Sequence, residues 1–210
     1  MGDVRVCDQC GSLFDPRREH ARFCSARCRA AWNREKLGDP APGTNALHWS
    51  VAAMNDTAEL LAGVATHDRP KAVAVISDMV WWVTIVDATM VRHHPDTYDL
   101  LLASYPPWRR RRVEGTLGGL RFVRNRMREE SGLRFFIGPS PDDKSWWWMP
   151  VSEPPSSSSL PPRALAWEMT RYRAYCNHVA GRTTHQVFEQ VASFLNSAAS
   201  QALYEAPTGQ

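Results

Sequence analysis

KAVAVISDMVWWVTIVDATMVR, residues 71–92, is the run whose reading decides the fold, because it has the length of a membrane span. Its large apolar residues are Val73, Val75, Ile76, Met79, Val80, Trp81, Trp82, Val83, Ile85, Val86, Met90 and Val91. At the centre of a bilayer each returns only ~0.3–0.6 kcal/mol, whereas Asp78 and Asp87 cost ~2.5–3.5 kcal/mol apiece. The two totals cancel, so insertion is not driven. The run reads as the buried core helix of a globular domain, with no membrane association. At about 100° per residue, Asp87 falls among Ile76, Val80, Val83 and Met90 on the apolar face. A charge on that face needs a partner.

Outward from this run the pattern stays helical. Upstream, residues 46–66 carry Leu47, Val51, Met54, Ala58, Leu61 and Val64 at three- and four-residue steps, with Asp56 and Glu59 off the stripe. Downstream, Tyr98–Tyr105 is a short helical piece closed by Pro106-Pro107. Arg109–Arg112 follow, and a long helix is expected near 113–130 with Val113, Leu117, Leu120, Val123 and Met127 on one stripe. Arg124 falls within that stripe, which suggests an ion pair with Asp87. Gly118-Gly119 either weaken the helix or admit a close neighbour. Arg109–Arg112, Arg121, Arg126 and Arg128 form a local basic excess, read as a solvated surface or a phosphate grip.

Leu133–Ile137 and Trp146–Met149 are expected to pair as strands across the Pro- and Asp-rich segment between them. Alternation along the second strand buries either Trp147 or its two neighbours. The Ser/Pro run at 152–162 reads as a mobile loop. A helix is expected over 163–180 with Leu165, Met169, Tyr172, Cys176 and Val179 as its apolar stripe, making Cys176 a packing residue. Gly181 stops it, and Thr183 with Gln186 caps the next helix, predicting an antiparallel helical hairpin. His93-His94 read as a helix C-terminal cap rather than a metal pair.

The other informative stretch is N-terminal. Four of the five cysteines lie in the first 28 residues, as Cys7-Asp8-Gln9-Cys10-Gly11 and Phe23-Cys24-Ser25-Ala26-Arg27-Cys28. Two and three residues within the pairs is ligand spacing for one tetrahedral zinc with ~2.3 Å bonds. No export signal is visible at the start of the chain, so a cytoplasmic, reducing setting is expected and the thiols read as ligands, not disulfides. Gly11 lets the backbone turn under the metal. Leu13 and Phe14 begin a short hairpin. Ser25 caps a helix running through Lys36, which places Cys28 in its first turn, where the dipole favours a thiolate. His20 reads as a surface residue. Four thiolates close the shell, so one structural Zn2+ on Cys7, Cys10, Cys24 and Cys28 is expected rather than a catalytic one.

The order C-x2-C-G, R-F-C-S-x-x-C and a helix carrying Trp32-Asn33-Arg34 resembles the short FCS/MYM-like treble-clef zinc fingers. Relatives of that type bind RNA, DNA or protein, so the resemblance implies a zinc site at these four cysteines and a macromolecular partner. Residues 119–126, Gly-Leu-Arg-Phe-Val-Arg-Asn-Arg, also resemble the Arg-Asn motif of HEPN-type helical domains, many of which are ribonucleases. That resemblance makes Arg124 and Asn125, with Asp87, the catalytic candidates. The histidine that follows the arginine in that family is replaced here by Arg128, Glu129, Glu130 and Ser131. The expected general acid/base is missing, and a structural Arg–Asp pair is favoured.

The charge is unevenly placed. Of 25 basic and 22 acidic residues, eight and five fall within 1–36, so the whole net +3 resides there and the remainder is neutral. A modest basic excess of this kind favours an anionic partner. The expected organisation is mainly α: a treble clef over 1–37, a linker over 38–45 and an all-helical domain of about five helices over 46–205, with a small hairpin insertion. The leading functional expectation is a nucleic-acid-binding protein, for DNA or RNA, with Arg17, Arg18, Arg22, Arg27, Arg29 and Arg34 on phosphates. The alternatives are a protein-interaction adaptor working through Trp146–Trp148 and a HEPN-like ribonuclease or its inactive derivative. No serine or cysteine triad and no phosphate-cradling loop can be read, so binding is favoured over catalysis.

Overall fold

In a computed structural model the chain divides into two compact units, Met1–Asn45 and Ala46–Gln210. The structure describes residues 4–8, 13–16, 21–25, 28–29, 42–129, 133, 136–140, 145–155 and 162–205, without the side chains of 42–45, 128, 129 and 205. Each unit is treated by itself.

In the N-terminal unit, β1 (Arg5–Val6) pairs antiparallel with β2 (Leu13–Phe14), in the register Arg5↔Phe14 and Val6↔Leu13. Leu13 therefore closes back on the strand before Cys7 instead of opening a hairpin further along. The first cysteine is thereby held at the mouth of a hairpin, where short strands fix its direction.

Among the described residues six helices and a second hairpin follow, α1 starting ahead of the boundary at Ala46 and the rest lying in the second unit: α1 (Pro42–Ala62), α2 (Arg69–His93), α3 (Pro95–Ser104), α4 (Pro107–Glu129), β3 (Ile137–Pro139), β4 (Trp146–Trp148), α5 (Pro162–His178) and α6 (Thr184–Glu205). The mainly helical class read from periodicity is observed. α1 begins at Pro42, inside the stretch read as linker, because proline at a first helical position is preset for the helix and loses no needed donor. The same chemistry starts α4 at Pro107, so Arg109–Arg112 form its first turns rather than preceding it.

α2 is long and apolar enough to cross a membrane, but half of its most apolar window is buried inside the fold. Asp68 caps it, accepting from the Lys71 amide at 3.1 Å. Its buried residues include Ile76, Met79, Val80, Val83, Val86 and Met90. It packs against α4 and α6, with α3 folded alongside. The core helix expected from Asp78 and Asp87 is thus observed, with Asp87 fully buried.

α4 and α5 form the closest helix pair. Gly115, Gly118 and Gly119 lie at three- and four-residue steps on one α4 face, where a side chain would meet His178, Ala174 and Val179 of the α5 segment. The glycines admit a close neighbour, as the second of their two readings had it. At Gly119 a Cβ would stand 2.6 Å from Val179 and 2.9 Å from the Tyr175 backbone. Gly119→Ala is therefore expected to destabilise the unit by about 1–2 kcal/mol, the overpacking cost exceeding the gain in helix propensity. Denaturant unfolding followed by far-UV circular dichroism measures it.

β3 and β4 pair antiparallel, Ile137 with Trp148 and Pro139 with Trp146. The first strand lies later than expected, at 137–139; Leu133 belongs to a tight helical turn before it. Trp146 and Trp148 are buried and Trp147 is half-buried, the second of the two alternations. Trp148 packs edge-on against Tyr175 and Phe188, while Phe122 meets Phe136, Tyr172 and Tyr175, making one aromatic cluster. The Tyr175 hydroxyl donates to the Met149 carbonyl at 2.5 Å and Tyr172 to that of Val151 at 3.0 Å, tying α5 to the chain after β4.

Gly181 has φ +73°, the left-handed geometry that ends a helix. Thr183 and Gln186 make the reciprocal capping box, at 3.1 and 3.4 Å. The helical hairpin expected from this stop and start does not form as a packed pair. α5 docks on the glycine face of α4, whereas α6 packs on α2, α3, α4 and β4. Cys176 is exposed, not packed, because Tyr175 and Val179 face α4 and turn their neighbour outward.

Candidate metal centre

Cys7 follows β1 directly and is 1% exposed. The Asp8 amide donates to the Arg22 carbonyl at 3.0 Å, which draws the second cysteine segment alongside the first. The Cys24 amide then donates to Cys7 Sγ at 3.4 Å. Ser25 does what an N-cap does: its hydroxyl accepts from the Cys28 amide at 3.2 Å, and its carbonyl accepts from Arg29 at 3.2 Å. The cap brings Cys28 round to Cys24, with the sulfurs 3.5 Å apart.

All three sulfurs lie within 4.8 Å of one another. Sulfurs sharing a tetrahedral ion with ~2.3 Å bonds stand ~3.8 Å apart, inside the observed range. The Cys24–Cys28 separation is far beyond a disulfide bond. Cys7, Cys24 and Cys28 can therefore hold a metal ion. The fourth expected ligand, Cys10, lies outside the described residues, as does His20.

Of the six arginines expected on phosphates, Arg17, Arg18, Arg27 and Arg34 lie outside the described residues. Arg29 is exposed on the helical turn after Cys28. Arg22 is partly committed: its guanidinium bonds Asp8 at 2.5–2.7 Å and lies over Phe23 at 5.7 Å. That bridge clamps the two cysteine segments together, a role that spacing alone did not reveal.

In the helical unit the candidate residues take different partners. Asp87 is buried with both oxygens engaged, accepting from the Tyr98 hydroxyl at 2.7 Å and from Arg121 Nε at 2.7 Å. Burial and the Asp87 carboxylate push the Tyr98 phenol well above its ordinary pKa, so it remains a donor. The partner of Asp87 is thus Arg121, not Arg124. Arg124 lies one turn further on, its guanidinium 4.6 Å from the centre of the Trp81 ring. Asn125 donates to Glu168 of α5, which also receives Arg171 at 2.9 Å. Asp87 and Arg124 both tie α4 to α2, through Arg121 and Trp81 respectively, whereas Asn125 ties α4 to α5. His94 is the C-cap of α2, its amide bonded to the Met90 carbonyl, while His93 lies in the last turn.

Compared with protein-family models, curated proteins and solved structures, the chain has no match. The chemistry of the site therefore rests on its own residues.

Proposed function

We propose that this chain is a zinc-containing nucleic-acid-binding protein whose N-terminal finger is held by one structural Zn2+ and whose arginines contact phosphates. The observation that carries the reading is the gathering of Cys7, Cys24 and Cys28 within 4.8 Å at a hairpin mouth and a capped helix start. Soft thiolates in a tetrahedral set select zinc over harder divalent ions. Cys10 supplies the fourth thiolate, and a closed shell of four makes the ion structural. The unit carries the entire net charge of +3 within residues 1–36, and Arg29 is exposed beside the metal-bearing turn. Against the adaptor reading, Trp146 and Trp148 are consumed by the core.

The test is fluorescence anisotropy of labelled single-stranded RNA and duplex DNA with the zinc-loaded chain over a salt series. Binding is expected to weaken by about 0.7–0.9 logarithmic units per phosphate contact for each tenfold rise in salt, and Arg29→Ala to lower that slope by about one contact. Absence of binding to both, or binding indifferent to salt, overturns the reading.

A further inference from the structure

A cleft of about 430 Å³ opens between the start of α4 and the outer face of α6. Trp108, Arg109 and Arg112 line one side, and Gln186, Gln190 and Ser193 the other. None of this belongs to the finger. The size lies within the range of small-molecule sites.

Each wall is built by helix spacing. Residues 108, 109 and 112 lie within about one turn of α4, and 186, 190 and 193 share a face of α6. The floor is fixed by Gln190 Nε2, which donates to the buried Thr116 hydroxyl at 3.3 Å. That bond leaves the Gln190 carbonyl oxygen as an acceptor. Arg109 is held with its guanidinium 4.0 Å from the centre of the Tyr105 ring, which positions its charge without neutralising it. Trp108 is 61% exposed and so is not required by the core. Two guanidiniums face one carboxylate, Glu189, which itself lies 3.7 Å from His185. The cleft is thus cationic, with an aromatic rim and amide and hydroxyl groups opposite.

We infer that this cleft is a nucleotide-binding site, in which Trp108 stacks on the base, Arg109 and Arg112 hold the phosphate, and Gln186, Gln190 and Ser193 meet the base edge. Stacking and phosphate contacts are the two general means of holding a nucleotide without sequence selection. The same chemistry is presented by a free mononucleotide and by one residue of a single strand.

The experiment uses the full zinc-loaded chain, uridine monophosphate measured by calorimetry and a fluorescein-labelled oligouridine measured by anisotropy. Trp108→Ala and Arg112→Gln change exposed side chains and are expected to keep the wild-type circular dichroism melt. Each is expected to weaken binding about tenfold. Loss of mononucleotide binding assigns a free nucleotide, and loss confined to oligouridine assigns a strand; both support the site. Binding of both ligands unchanged in the two variants, or no binding by the wild type, overturns it. The Trp108→Ala effect should persist in a Cys7→Ser background, which separates this cleft from the finger. Disappearance of the effect there also overturns the inference.

Discussion

Arg121→Ala is expected to cost the helical unit about 3 kcal/mol or more, because it leaves the fully buried Asp87 carboxylate without its cationic partner. The loss comes from the stranded carboxylate and not from the arginine itself, which is 39% exposed on its side chain. Tyr98 still donates to Asp87 in that variant, which prevents complete exposure of the deficit. Arg124→Ala removes a guanidinium–indole contact and leaves the Asp87–Arg121 pair intact, so it is expected to cost less than Arg121→Ala. Chemical denaturation of the two variants separates them. Equal losses, or a larger loss at Arg124, would show that the pairing described here is wrong. Asp87→Asn combined with Arg121→Ala should cost less than the sum of the single changes, since the pair shares one interaction.

The second large effect concerns the metal unit. Its described apolar residues are few, and Val4, Val6 and Leu13 are exposed, so on the proposed reading the bound metal supplies the stability that a core does not. Comparable zinc peptides draw about 10–16 kcal/mol from the metal. Cys7→Ser, or a chelator, is therefore expected to unfold the finger, residues 1–37, while the helical unit keeps its melting transition. Hydrogen exchange reads both units in one experiment: amides such as Asp8 and Cys24 should lose all protection, and those of α2 and α4 should not change. Protection retained at Asp8 and Cys24 after metal removal would contradict the metal's role in folding.

The parts of this structure that were legible in the sequence are those set by local chemistry. Ser25, Thr183 and Gly181 each act over a few residues, and each does what its side chain or its lack of one dictates. The alternation through Trp146–Trp148 is likewise a property of one strand. What could not be read depends on how helices dock. Asp87 was recognised as a buried charge from its own helix face, but its partner is decided by the docking of α2 on α4. Arg121 and Arg124 lie three residues apart, and the apolar periodicity of α4 pointed to Arg124, whereas the docking selects Arg121. Cys176 was misplaced for a similar reason. Gly115, Gly118 and Gly119 draw α5 close through Tyr175 and Val179, and that choice rotates Cys176 outward by one residue. The helical hairpin failed because a capping box fixes where helices stop and start, not what they pack on. At the candidate metal centre, spacing pointed to Cys7, Cys24 and Cys28, whereas the Arg22–Asp8 clamp joins residues far apart in sequence and carries no motif.

The measurement that bears most directly on the central claim is metal content with ligand identity. Native mass spectrometry of the intact chain should show one zinc, and cobalt substitution should give the absorption of a tetrahedral site with four thiolates. Cys7→Ser, Cys24→Ser and Cys28→Ser should each lose it. A chain that binds no zinc after loading under reducing conditions, or whose cobalt spectrum is unchanged by these substitutions, would contradict the account.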